Sequence, residues 1–337
     1  MIVRNKVQAS IIVTYRCNAK CRMCNTWKFP TDPSEEISPS HYEKLPDGLR
    51  VNITGGEPMI REDIDDIFRI MHPKASLLEL STNGFFTDRI VRVAERYPDI
   101  LIRVSCEGLP SRNDTLRGTK DGFDHALRTI LALKRTKCRN IGFSIVISDR
   151  NAEDLLNLYD LCAYLGVELG NSVMHNSWYF HKDDNKVEDV AKAVRYQNEF
   201  IRALLSSKRR GIRNKLKDYG RAWFNRSIVK RMEGQPRGYR PPCGAGSDFF
   251  FVDPWGNVSP CNGSEEEWII GNIKDESFDH IMNSDAARAV MERIEACTKE
   301  CCFIVTDRHD MLRRPWRPIA WALSNKLRIL LNLPIRV

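Results

Sequence analysis

Ile11-Ile-Val-Thr-Tyr-Arg-Cys17-Asn-Ala-Lys-Cys21-Arg-Met-Cys24 runs an apolar, β-rich segment straight into three cysteines. The apolar part reads as a strand over Val7–Tyr15, which places the thiols on the loop at its end. Three thiolates within eight residues cannot close a tetrahedral metal site, which needs four ligands. They can hold three irons of a cubane cluster and leave the fourth iron open to a chelating small molecule. The bland alternatives are a zinc knuckle completed by a distant ligand, or three core cysteines.

Outward from this stretch, further strand patterns lie at Arg50–Thr54, Ser76–Ser81, Leu101–Ser105, Asn140–Ile147 and Val167–Met174. Helix-period segments separate them at Ile64–Met71, Arg89–Arg96, Asp124–Lys134 and Ala152–Leu165. Asp63, Asp88 and Asn151 stand where helix caps are expected. Strand and helix in alternation predict an α/β fold with a parallel sheet. Six such units closing partway make a partial (β/α)6 TIM-type barrel, with functional groups on the loops after the strand ends.

The next strand end carries Thr54-Gly55-Gly56-Glu57-Pro58. Here side-chain-free backbone permits close approach, and a carboxylate suited to an ammonium group follows. On these residues the chain resembles the radical S-adenosylmethionine (radical SAM) enzymes, whose signature is Cys-x3-Cys-x-(hydrophobic)-Cys. The resemblance spans about the first 180 residues. It implies a 4Fe–4S cluster on Cys17, Cys21 and Cys24, with S-adenosylmethionine (SAM) chelating the open iron. It implies that Met23 packs beside adenine, that Gly55, Gly56 and Glu57 meet the methionyl amine, and that Asn83 faces the same mouth. Ser105 and Glu107 match positions that contact SAM, with Glu107 where Asp is common. The implied chemistry is cleavage of SAM to a 5′-deoxyadenosyl radical, fed by an external one-electron reductant such as flavodoxin or ferredoxin.

A second cysteine group comprises Cys243, Cys261, Cys297, Cys301 and Cys302, with a hairpin expected over Phe249–Pro260 turning at Gly256. Helices are expected at Ser277–Met282 and Asp285–Ala296. This group resembles the SPASM and Twitch modules, which implies a second, auxiliary 4Fe–4S cluster. Its expected ligands are Cys243, Cys261, Cys297 and one of Cys301 and Cys302, the other being left over. A zinc ribbon is the alternative. Cys301, Cys302 and Cys106 are candidate hydrogen-atom donors, each weighed against the reading of a small buried residue. The expected division is 1–185 as the partial barrel, 186–240 as a basic helical linker, 241–305 as a small α+β auxiliary-cluster module and 306–337 as a basic amphipathic tail.

Of 337 residues, 42% are hydrophobic and 28% charged, which suits a sizeable core and excludes a disordered or fibrous chain. No apolar run reaches the length of a membrane span, and no signal peptide is read at Met1–Ser10. The expectation is a cytoplasmic protein. The formal charge is +8, yet residues 207–240 hold twelve Lys or Arg against two acids, so one block carries the whole excess. That block is either a solvated helical face or a surface for an anionic partner. The tail combines Arg313, Arg314, Trp316 and Arg317 with Ile319, Leu323, Leu327, Leu330 and Leu331 on one face. It reads as an interfacial helix at the inner face of a membrane, or as a helix packed on the protein's own core. Trp178-Tyr-Phe-His181 is either a stacking surface for a sugar or ring, or a self-packed lid. No specific nucleic-acid motif accompanies the charge.

The leading expectation is an enzyme that oxidises or epimerises a small or carrier-linked, anionic metabolite such as a sugar or alcohol. The second is a peptide maturase that modifies or crosslinks residues of a precursor. Sixteen residues before Cys17 leave no room for an N-terminal peptide-recognition domain, and five cysteines fall short of a full SPASM set of seven, which places it second. A non-catalytic iron–sulfur or zinc protein acting on RNA or membranes is the third.

Overall fold

A computed structural model describes residues 7–207, 209–235, 243–263, 268–299 and 301–337. Pro236-Arg-Gly and Pro241-Pro, where the helical stretch is expected to break, lie outside the described residues. The chain divides into two compact units. The first comprises 1–144, 175–185 and 244–297; the second comprises 145–174, 186–243 and 298–337.

The first unit is built on a mostly parallel sheet. Its strands are β1 (Gln8–Ile12), β2 (Arg50–Thr54), β3 (Leu77–Thr82), β4 (Leu101–Ser105), the start of β5 (Asn140–Ile147), β7 (Phe249–Val252), β8 (Asn257–Ser259) and β9 (Gly271–Asn272). They lie in the order β5-β4-β3-β2-β1-β7-β8-β9. Every pairing from β4–β5 to β1–β7 is parallel, and Ile11 of β1 stands between Ile53 and Val252. Alternate residues such as Val51, Ile53, Leu78, Leu80, Ile102 and Val104 are buried, the period-2 pattern of a strand with one strongly apolar face.

Helices α1 (Ile64–Lys74), α2 (Thr87–Arg96), α3 (Pro110–Arg117) and α4 (Gly122–Leu133) connect the strands. Ile64, Ile67, Phe68 and Met71 of α1 are buried at helical spacing. The expected caps do not act as caps. Asp63 makes no capping bond and instead holds Arg61, Asp88 lies inside α2, and Asn151 accepts from the Ser148 amide. Helix α3 was absent from the sequence reading because its eight residues carry little apolar periodicity. Pro110 in its first turn and Gly118 at its end are the signals that mark it.

The hairpin β7–β8 turns at Gly256 as expected, with φ of 91°. Rather than standing apart, β7 pairs with β1 and extends the parallel sheet. Helices α8 (Phe278–Met282) and α9 (Asp285–Ala296) follow, each started by a capping serine, Ser277 and Ser284.

The second unit holds the end of β5, β6 (Glu168–Val173), and helices α5 (Leu155–Leu165), α6 (Val190–Leu205), α7 (Ile212–Met232), α10 (Ile304–Arg313) and α11 (Trp316–Leu330). Its basic block is neither wholly solvated nor wholly available to a partner. Lys217 and Arg221 reach the Glu168 carboxylate at 2.6 and 2.8 Å, and Arg209 and Arg221 reach the buried Asp218 at 3.0 and 3.1 Å. Arg226 lies over the Trp223 ring. Part of the positive excess is thus internal structure. Among the described residues, no helix is long and apolar enough to cross a membrane.

Candidate active site

The cysteine loop after β1 is pinned by backbone from two sides. On one side the Gly56 amide donates to Thr14 and the Glu57 amide to Arg16, at 2.8 and 2.9 Å. On the other, the Lys20 and Arg22 amides donate to the carbonyls of Arg117 and Leu116 at the end of α3. These bonds fix a loop that lacks regular structure, which is what three converging ligands need. Cys17, Cys21 and Cys24 form no disulfide. Burial raises all three thiols, Cys17 to about 12 and Cys21 to about 11.

The two glycines have a purpose that their sequence context did not reveal. A Cβ on Gly55 would stand 2.4 Å from the Thr14 carbonyl oxygen, and one on Gly56 2.3 Å from that of Arg16. The backbone they admit so closely is the chain's own cysteine loop.

Glu57 likewise differs from the expectation of an open carboxylate awaiting an amine. It is fully buried, and it accepts from the Met59 amide, the Thr82 hydroxyl and the Asn83 amide at 3.1, 2.8 and 2.7 Å. Burial raises its pKa while these donors pull it down. Three of about four lone-pair sites are taken, so the carboxylate ties the end of β2 to the end of β3. Asn83 in turn donates to the Asn18 side chain at 2.6 Å, inside the cysteine loop.

Arg117 is the residue that sequence reading missed. The residue is 8% exposed, and its guanidinium meets Glu107 at 3.1 Å. Burial opposes its charge, but Cys21, Glu107, Cys17 and Cys106 outweigh that and raise its pKa. A cation is therefore held beside the cysteine thiols. The signal was present in Leu116-Arg117-Gly118, one helix after Ser105-Cys-Glu-Gly108. Glu107 is buried with Arg117 as its partner, and its amide donates to Asn113 at 2.8 Å. Ser105 ends β4 in register with Ser144 of β5. Met23 is half-buried, and its carbonyl accepts from Asn185.

The segment 175–185 belongs to this unit and acts as a tie rather than as an open stacking surface. Tyr179 is buried, and its hydroxyl donates to the Gly55 carbonyl at 3.1 Å. The amide and side chain of Asn25 donate to the carbonyls of Phe180 and His181. The Trp178 indole donates to the Cys261 carbonyl at 2.7 Å, and Ser177 to that of Asn262 at 2.6 Å. One short loop thus holds both the first cysteine group and Cys261.

The later cysteines are distributed. Cys261 and Cys297 lie in the first unit, while Cys243, Cys301 and Cys302 lie in the second. Cys302 is buried in an apolar cluster with Val173, Phe224 and Ile228, and its thiol faces Asp307 at 3.8 Å. Cys106 is fully buried and donates to the Gly108 carbonyl at 3.3 Å. Both thiols are enclosed by protein, Cys106 fully and Cys302 at 7% exposure. Cys301 is half-buried. Among the described residues, no three metal-binding side chains converge on a single ion position. Three thiols held around a loop, with a buried cation beside them, are a donor set suited to a multi-iron cluster rather than to one ion.

Two family models match the chain: the Radical SAM superfamily over residues 11–162, and SPASM, an iron-sulfur cluster-binding domain, over residues 243–303. Pre-heme d1 synthase of Dinoroseobacter shibae is 30% identical over 59% of this chain and 51% of its own length. The antilisterial bacteriocin subtilosin biosynthesis protein AlbA of Bacillus subtilis is 24% identical over 88% of this chain and 65% of its own. Mycofactocin maturase MftC of Mycobacterium tuberculosis is 25% identical over 83% of this chain and 71% of its own. The chain thus spans between 51% and 71% of the length of these curated relatives. The structure of anSMEcpe with bound AdoMet and a Cp18Cys peptide superimposes with a TM-score of 0.61 at 16% identity, covering 94% of this chain and 99% of that one. That likeness shows the fold.

Proposed function

Because the chain is a radical SAM enzyme with a SPASM domain, we propose that it is a peptide maturase, which modifies a side chain or joins two residues of a precursor peptide. The observation that carries this reading is the extent of the match. AlbA and the maturase MftC align with more than four fifths of the chain, whereas pre-heme d1 synthase aligns with 59%. This supports the peptide reading over oxidation or epimerisation of a sugar or alcohol.

The radical SAM domain implies a 4Fe–4S cluster with SAM, and the SPASM domain implies auxiliary iron–sulfur clusters. When bound, these groups supply a radical able to take hydrogen from an unactivated C–H bond. The chain's own residues bind and exclude. Cys17, Cys21 and Cys24 would hold the first cluster. Arg117, neutralised on one side by Glu107, offers a fixed cation for a carboxylate at the same place. Gly55 and Gly56 bring the β2 end against the cysteine loop, and the Tyr179 hydroxyl donates to the Gly55 carbonyl at that junction. For the auxiliary site, Cys243, Cys261, Cys297 and Cys301 are the proposed ligands. The enclosure of Cys302 in an apolar cluster supports Cys301 as the ligand from the adjacent pair.

The test is anaerobic co-expression with each short open reading frame beside the gene, followed by mass spectrometry of the peptides. The expected product is a peptide lighter by two hydrogens, with 5′-deoxyadenosine formed alongside. Unchanged peptides, together with oxidation of a sugar by the same reduced enzyme and SAM, would return the assignment to a metabolite oxidoreductase.

A further inference from the structure

The last helix, α11, has two faces of different character. One packs within the second unit. Ala322 and Asn325 are buried, the Trp321 ring meets Trp223 edge-on at 5.6 Å, and Lys326 donates to the Tyr219 hydroxyl at 2.6 Å. The other face carries Trp316, Ile319, Leu323, Leu327 and Leu330 at helical spacing, followed by Leu331. All six are exposed, Trp316 at 66%, Leu323 at 63% and Leu330 at 78%. The tail therefore joins both readings of its sequence: it is anchored on the protein and presents an apolar stripe to solvent.

The first turns of α7, in the same unit, expose apolar side chains as well. Ile212 and Leu216 are 72% and 59% exposed. An uncovered apolar surface of this length is costly in water and marks a docking surface.

Charge selects the occupant. Residues 311–337 contain six Lys or Arg and no acid, and Arg210 and Arg213 stand exposed at the start of α7. A second copy docking through the same face would set cations against cations across a two-fold interface. An anionic bilayer offers both complements at once, acyl chains for the leucines and headgroup phosphates for the cations. Trp316 and Arg317 at the start of the helix have the amphipathic form that sits at a headgroup boundary. We propose that α11, with the first turns of α7, is an interfacial docking surface for an anionic phospholipid bilayer. The enzyme would lie on the membrane through it without spanning it. The inference stands apart from the nature of the peptide or metabolite substrate.

The test is flotation of the full chain with vesicles of phosphatidylcholine, with and without phosphatidylglycerol. Wild type should float with the anionic vesicles, and less as salt is raised. Leu323→Asp with Leu327→Asp should lower partitioning at least about tenfold, while thermal melting and SAM cleavage stay at wild-type level. Arg313→Glu with Arg314→Glu should remove the preference for anionic vesicles. Three results overturn the proposal: wild type failing to float, the double aspartate variant floating as wild type does, or light scattering that shows a wild-type dimer which the aspartates convert to monomer.

Discussion

The two cysteine groups are organised in opposite ways. The first lies within one loop, and backbone bonds from the ends of β2 and α3 clamp that loop from both sides. The second is spread along the sequence from Cys243 to Cys302, and one of its members is enclosed in an apolar cluster. The contrast shows two ways to prepare a metal centre. In the first, the ligand geometry is a local property, reinforced by neighbours that leave no room for change. In the second, the thiols are scattered along the chain, so each one's surroundings have to be read separately.

The strongest way to break that contrast is to remove one thiol from each group. Cys17→Ala should reduce 5′-deoxyadenosine formation under dithionite by more than about 100-fold, since loss of a ligand exceeds the usual effect of its supporting residues. Cys301→Ala should leave the first cluster in place and cut iron from about eight to about four per chain. Cys302→Ala should keep the iron and lower only the melting temperature. If Cys302→Ala lost the iron and Cys301→Ala kept it, the proposed ligand assignment would be reversed.

The buried cation of the first group gives the next effect. Arg117→Met removes the guanidinium from the buried Glu107 carboxylate, a loss of about 3–5 kcal/mol in chemical denaturation. Pairing it with Glu107→Gln should restore part of that stability, because the buried carboxylate charge is gone. A double variant no more stable than Arg117→Met alone would refute the ion-pair account.

Sharpening the clamp itself needs a smaller change. Gly56→Ala sets a methyl against the Arg16 carbonyl and should cost about 1–3 kcal/mol through overpacking, with a loss of bound iron in the reconstituted protein. Unchanged iron and melting would mean that the cysteine loop tolerates displacement.

The smallest effect concerns the tie segment. Burial lowers the His181 pKa, so the folded state favours the neutral ring. The stability that follows is present above the unfolded value of about 6.5 and is lost as pH falls through the lower folded value. The fall in melting temperature between pH 8 and pH 5 should therefore be smaller in His181→Phe than in wild type. An identical fall in both would assign the acid sensitivity elsewhere.

Some of this was legible from residue order and some was not. Strands such as Arg50–Thr54 and Asn140–Ile147 are visible because a half-buried strand imposes a period of two that nothing else mimics. The cysteine spacing is visible because its three ligands lie on one short loop. Helix α3 was hidden because it buries little apolar surface. Asp63 and Asn151 looked like caps, but other partners claimed their side chains. The glycines after β2 stood out as special, yet the atoms that require them belong to a loop some forty residues earlier.

By itself, then, the order of residues determined the strand–helix alternation, the triplet of thiols and the glycine-rich strand end, because each is set by contacts along a few consecutive residues. Tertiary structure decided the rest. It placed Arg117 against Glu107 and the thiols, enclosed Cys302 and not Cys301, paired part of the basic block with Glu168 and Asp218, and left the leucines of α11 in solvent. The reason is physical: burial and charge pairing depend on which distant segments arrive at a side chain, and desolvation then sets what that side chain can do.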